Sequence, residues 1–327
     1  MKITKEKHKS FSRLPMLRKA SAVALAAALF IGFAPAGFAA SPSSSPDLLK
    51  PPGEFDAAEA GIGSLKQQIE SLKKIIELNV PRAEKIPVLL YHHLAKENEM
   101  TEEQRHNDSV LSVEQFSDHM KYLYDNRFYT ASLYELELYL NGKMILPERT
   151  VVITFDDGYR SNTKYAYPVL KKYGFKAAIF LITGLIGEKE NVIEHAGWSD
   201  LKKCGDVFTY HSHSHNLHKT QKDGRSLLQT TDSSAIMNDL LISRALISSS
   251  YFAYPYGQVS RAGKKALSDA GYRMAFTTVA SYVKRKADML ELPRFTITPY
   301  VDTDVFRSIC SGEADPDQAA SAAKEAV

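Results

Sequence analysis

The chain has 327 residues, 44% hydrophobic and 24% charged, a balance ordinary for a globular protein with one large domain plus accessory segments. Its formal charge is +3, but residues 1–19 alone hold seven Lys/Arg and one Glu, so the rest of the chain sits near −3 and offers no basic surface for nucleic acid. Two cysteines, Cys204 and Cys310, with no CxxC, exclude a disulfide framework and leave their pairing open.

The first element is a targeting segment. A basic stretch, the apolar run ASAVALAAALFIGFA and the small residues of PAGFAAS follow the order of a secretory signal peptide over residues 1–39. The apolar run is short for a spanning helix, so retention as a membrane anchor is the lesser reading. Residues 40–53 form a Ser/Pro linker. In 54–80, Ile62, Leu65, Ile69, Leu72 and Ile76 recur at helical spacing and predict one amphipathic helix, an N-terminal helical extension.

From residue 86 short apolar runs alternate with helical stretches. IPVLLYHHL, RTVVITFDDG, KAAIFLIT, DVFTYHSHSH, SSYFAYPYG and YRMAFTT read as strands. Between them, VEQFSDHMKYLYDN reads as a helix ending at Asn126, and NTKYAYPVLKKYG as one closed by Gly174. WSDLKKCG follows a loop, while SSAIMNDLLISRALIS and SRAGKKALSDAG complete the helices. This βαβα alternation predicts an α/β fold, a parallel sheet or barrel with helices outside, over residues 86–312. Residues 313–327 read as a polar tail.

Four unusual stretches end predicted strands: Tyr91-His92-His93, Thr154 to Gly158, His211 to His215, and Tyr254-Pro255-Tyr256-Gly257. In parallel α/β folds those ends share one rim, where active sites are built. Asp156 and Asp157 are costly beside an apolar strand unless something positive compensates them, although Asp-Gly is also a common solvated turn. His211 and His215 are four apart, and a curled strand end would let both rings reach one ion at about 2.0–2.1 Å. His213 and His218 would then support the site or lie exposed. A polar, His-rich loop without metal is the alternative.

Together TFDDG and His211-Ser212-x-x-His215 resemble the two leading motifs of the polysaccharide deacetylases of the NodB-homology type, carbohydrate esterase family 4. The resemblance spans roughly residues 86–310 and implies a distorted (β/α) barrel that removes N-acetyl groups from amino-sugar polymers. It implies Asp157, His211 and His215 as ligands of a divalent metal, zinc with cobalt or nickel as alternatives. It implies Asp156 as general base and Tyr256 as the source of a backbone oxyanion donor. The family's third motif begins with Arg, where this chain has Ala253, and its late general-acid histidine has no counterpart after His218; Arg294 in ELPRFTIT stands in that region. The chain looks similar to the exported poly-N-acetylglucosamine deacetylase branch, in which the acid histidine precedes TFDDG, and His92 occupies that place. One of His92 and His93 should enter the pocket, since successive strand residues face opposite ways.

The expected protein is therefore a secreted or cell-wall-associated hydrolase with a polysaccharide substrate. A glycan-binding module that has lost turnover, motivated by the missing Arg, and a polysaccharide O-acetyl esterase are the alternatives. Trp198 and Tyr254 are candidate sugar-stacking aromatics. No GxSxG, GxGxxG or P-loop supports serine-hydrolase or nucleotide chemistry.

Overall fold

The computed structural model describes residues 81–190 and 193–324. The expected signal segment, linker and amphipathic helix lie outside them. Eight parallel strands form one curled sheet, an open half-barrel with helices around it. In chain order the strands are β1 (Val88–Tyr91), β2 (Tyr129–Thr130), β3 (Thr150–Phe155), β4 (Ala177–Leu181), β5 (Phe208–Ser212), β6 (Tyr251–Ala253), β7 (Met274–Phe276) and β8 (Phe295–Thr296). Their spatial order is β7-β6-β5-β4-β3-β1-β8, with β2 also paired to β3. Between the end strands, the Phe276–Leu292 bridge and the Arg294 N–H to Val279 carbonyl bond draw the edges together.

The strands are apolar on both faces because both are covered. In β3, Val151, Ile153 and Phe155 pack in one cluster and Val152 in another, as the two-residue pleat requires. The first cluster takes in α1 (Val113–Asp125), with Phe116, Met120 and Leu123, and α3 (Tyr167–Tyr173), with Leu170. The second takes in α2 (Leu133–Leu140), which follows β2, through Leu133, Leu136 and Tyr139. Further on lie α4 (Trp198–Lys203), α5 (Ser233–Ile247) and α6 (Arg261–Asp269).

Helix ends follow the chemistry of their caps. Ser112 and Ser132 accept from backbone N–H groups at the starts of α1 and α2. Asn126 caps the end of α1, and Gly174, at φ 70°, ends α3 in the left-handed conformation that favours glycine.

Two differences from the sequence reading concern the C-terminus. Residues 303–311 form α7, whose Phe306, Ile309 and Cys310 recur at helical spacing and are buried, an amphipathic pattern that the strand-and-helix reading above does not include. The expected polar tail is a helix in its described part: α8 (Pro316–Ala322), capped by Asp315, buries Ala319 in the main core. A helix of small residues needs only one shallow contact face, which composition alone does not reveal. Cys204 and Cys310 are both buried and unpaired.

Two histidines lie deep in this frame. His119 stacks on Phe306 at 3.9 Å between centroids, and burial lowers its pKa to about 4; burial takes His211 to about 3.

Replacing Gly174 by Ala meets no atom within 4 Å, so its cost is the left-handed φ alone. A loss of about 1 kcal/mol in urea-unfolding stability is expected. Because His119 and His211 titrate lower folded than unfolded, their neutral forms contribute stability in full above about pH 6.5. Denaturant midpoints should fall as pH drops from there toward about 4. His119→Leu should make that fall shallower.

Candidate active site

The site stands on the rim where β3 and β5 end. After Phe155 the chain places Asp156 on the same face as Val152 and Thr154, then reverses through two left-handed residues, Asp157 at φ 68° and Gly158 at φ 74°. Gly158 suits this turn through its left-handed φ, and a Cβ there would come within 2.6 Å of the Leu181 Cδ2 methyl, which would have to move aside. Two hydrogen bonds from the segment before α4 hold the turn. His195 Nδ1 donates to the Asp157 carbonyl at 3.0 Å, and the Ala196 N–H donates to the Gly158 carbonyl at 2.9 Å.

Asp156 is almost wholly buried and meets Arg294, itself 0% exposed, through two parallel bonds of 2.7 Å. The guanidinium also donates to the Thr277 carbonyl and to Thr154 Oγ1, and lies 5.5 Å and 6.0 Å from the Phe180 and Phe276 ring centroids. Burial pushes the Asp156 pKa up, but the charge of Arg294, aided by His213, outweighs it and brings it down to about 2. Asp156 is therefore ionised throughout the neutral range. Losing the arginine would leave a buried charge uncompensated, which typically costs about 3–5 kcal/mol.

Asp157 meets two imidazoles. Its Oδ1 lies 3.5 Å from His213 Nε2 and 3.2 Å from His218 Nε2. One ligand atom from each of Asp157, His213 and His218 lies within 4.8 Å of the others. The tautomer of His213 gives this grouping its meaning. Its Nδ1 is 2.8 Å from the Ala253 carbonyl, which can only accept, so Nδ1 carries the proton. Burial lowers the ring's pKa to about 4, so at neutral pH Nε2 presents a lone pair toward Asp157. Asp157 Oδ1 is buried and receives no hydrogen bond. Acceptors gathered this way, with the far nitrogen of one ring fixed by a carbonyl, form a fitting set for a divalent cation.

The structure thus corrects the sequence reading in register: it brings Asp157 together with His213 and His218, and not with His211 and His215. His211 lies on β5 one full pleat deeper than His213, about 6–7 Å down the strand, so it shares the face but not the rim. Both its nitrogens are engaged, with Ser249 Oγ at 2.7 Å and Thr209 Oγ1 at 2.8 Å. His215 is turned aside after Ser214, at φ 71°, and its Nδ1 meets Thr183 Oγ1 at 3.1 Å. The same stretch holds this pair at a five-residue spacing, His213 to His218, which a curl of four residues does not accommodate.

Other expected residues fall as follows. His92 lies near enough to Asp156 and Asp157 to favour their ionised forms, and its carbonyl accepts from the Asn162 side chain at 2.7 Å, while His93 turns to Ser161 Oγ at 3.1 Å and to the Tyr159 ring. Tyr256, at φ 59° and 44% exposed, stacks on His218 with centroids 4.5 Å apart. Tyr254 is fully buried against Phe252, which excludes it as a sugar platform; Trp198 is 52% exposed. A separate cavity of about 690 Å³ is lined by His93, Ser161, Tyr165 and Cys204 but by none of Asp157, His213 and His218. On its wall Arg160 pairs with Glu194 and Asp200.

Comparisons with known proteins agree with this architecture. Residues 143–275 match the family model described as polysaccharide deacetylase. Over 222 residues the chain is 30% identical to YxkH of Bacillus subtilis (strain 168), named with the polysaccharide deacetylases, covering 68% of this chain and 75% of that protein. It is 29% identical over 200 residues to the poly-beta-1,6-N-acetyl-D-glucosamine N-deacetylase of Staphylococcus aureus (strain MSSA476), covering 58% of this chain and 68% of that one. Among solved structures, IcaB from Ammonifex degensii superposes with a TM-score of 0.62 at 24% identity over 72% of this chain and 100% of that one. The Streptococcus pyogenes deacetylase PplD gives 0.61 at 23% identity, covering 69% and 98%. At those identities the structures speak for the fold, while the sequence matches carry the kinship: the chain belongs to the polysaccharide deacetylase family of NodB-homology type.

Proposed function

We propose that the protein is an exported, divalent-cation-dependent hydrolase that removes N-acetyl groups from a polymer containing N-acetylglucosamine. The observation that carries this is the orphaned Asp157 Oδ1 facing the Nε2 atoms of His213 and His218, with ionised Asp156 alongside. Zinc suits the two-imidazole, one-carboxylate set. A bound cation supplies Lewis acidity, polarising the acetyl carbonyl and bringing the pKa of water from about 15.7 toward about 7.

The chain's own groups do the rest. Asp156 accepts the proton of the attacking water, its orientation set by both nitrogens of Arg294. A carboxylate held at about 2 is a weak base but an always-available one, so it depends on a water made more acidic by its surroundings. The Tyr256 backbone N–H is assigned to the developing oxyanion and His92 to the leaving nitrogen, which must gain a proton as the C–N bond breaks.

Arg294 also bears on the alternative of a binding module without turnover. That reading drew on the missing Arg at Ala253, and Arg294 supplies a guanidinium to Asp156 from the far end of the chain. Export rests on the order basic, apolar, small in residues 1–39, and the poly-β-1,6-N-acetylglucosamine class of substrate on the Staphylococcus aureus relative.

Purified protein should release acetate from N-acetylglucosamine oligomers; exhaustive chelation should stop this, and zinc or cobalt restore it. Acetate release that survives chelation would refute the cation dependence. Asp156→Asn should keep zinc, measured by metal analysis, and lose turnover by a factor of about 10² or more. His92→Ala should lower kcat by a similar factor with zinc retained; an unchanged kcat would move the acid role to another group.

A further inference from the structure

His213 and His218 act as one unit only if the backbone between them follows a fixed path. The four residues between them have no regular structure of their own, and Ser214 takes a left-handed conformation. Its backbone groups are nonetheless held from two sides. On one side, the Leu181 carbonyl accepts from the His213 N–H, while the Thr183 and Gly184 N–H groups donate to the carbonyls of Ser214 and His215. On the other, a single buried carboxylate, Asp239 of α5, accepts from the His215 N–H at 2.8 Å and from the Asn216 N–H at 2.6 Å. One helical turn later Ser243 meets Ser212 Oγ at 2.7 Å, and that oxygen accepts from the Ser214 N–H.

Asp239 and Ser243 are four residues apart and therefore project from one face of α5. Both are buried on that face with Ile236 and Leu240. A buried carboxylate is expensive, and Ile236 and Leu240 already supply the apolar packing of that face. Both Asp239 oxygens are directed at consecutive N–H groups midway between the two imidazoles.

We propose that Asp239 is a positioning residue of the cation site, presetting the distance between the His213 and His218 rings before any ion arrives. It touches neither cation nor substrate. The proposal rests on the assignment of Asp157, His213 and His218 as the ligand set.

The test is a zinc titration of the metal-free full chain by competition with a fluorescent chelator, read beside its melting temperature. Asp239→Asn keeps size and shape but replaces one acceptor with a donor facing an N–H. It should weaken zinc binding about 10- to 100-fold while the metal-free protein still melts cooperatively. Arg244→Met removes a comparable bond from the same helix, that of the guanidinium to the Ala270 carbonyl at 2.8 Å, and should leave zinc affinity unchanged. If Asp239→Asn lowers the melting temperature but binds zinc as wild type does, Asp239 is merely structural and the proposal is overturned. Should that variant not fold, Ser243→Ala loosens the same clamp at Ser212 and should weaken zinc binding to a smaller degree; unchanged affinity there overturns it equally. Wild-type protein that takes up no zinc would instead overturn the ligand assignment itself.

Discussion

The rim is organised around a standing electrostatic conflict: a carboxylate oxygen and the lone pair of a neutral imidazole held against each other in a buried site. Left alone, two acceptors at 3.5 Å repel, and nothing donates to the carboxylate oxygen. The surrounding fold maintains the arrangement regardless. The Ala253 carbonyl fixes the His213 tautomer, while His195 and Ala196 hold the strained turn that aims Asp157. Such a conflict persists only where surrounding packing over-determines it, and a cation resolves it.

The neighbouring carboxylate is treated in the opposite way. Asp156 has its charge met in full by Arg294, which the barrel encloses between two phenylalanine rings. One adjacent acid thus has both oxygens met by protein, while the other keeps its Oδ1 without a hydrogen bond, although the two are consecutive in sequence. The left-handed turn makes this divergence attainable, since extended backbone would place them on opposite faces of one strand.

Much of the fold could be read from residue order. Apolar runs of four to six residues between amphipathic stretches marked the six longer strands and the helices beside them, and Gly174 and Asn126 marked true helix ends. Less legible were the two-residue β2 and β8, whose pairing is dictated by neighbours, and α8, whose small residues carry little periodicity. In the site, the converging strand ends were visible, as were the acidic pair and the gathering of histidines between 211 and 218. Which histidines was not: a repeat of alternating His and Ser fits several registers, and only the point where β5 stops, at Ser212, selects among them.

By itself the sequence determined the alternation that yields a parallel half-barrel, the turn chemistry of Asp157-Gly158 and the supply of imidazoles at a strand end, because these depend on local pattern and backbone sterics. Tertiary structure alone decided that His213 and His218 meet Asp157, that Arg294 meets Asp156 from 138 residues away, and that Asp239 grips the loop between those two histidines. Those pairings join side chains through space across the rim, and no local rule of periodicity or propensity encodes how deep on a pleat a ring sits or which way a loop returns.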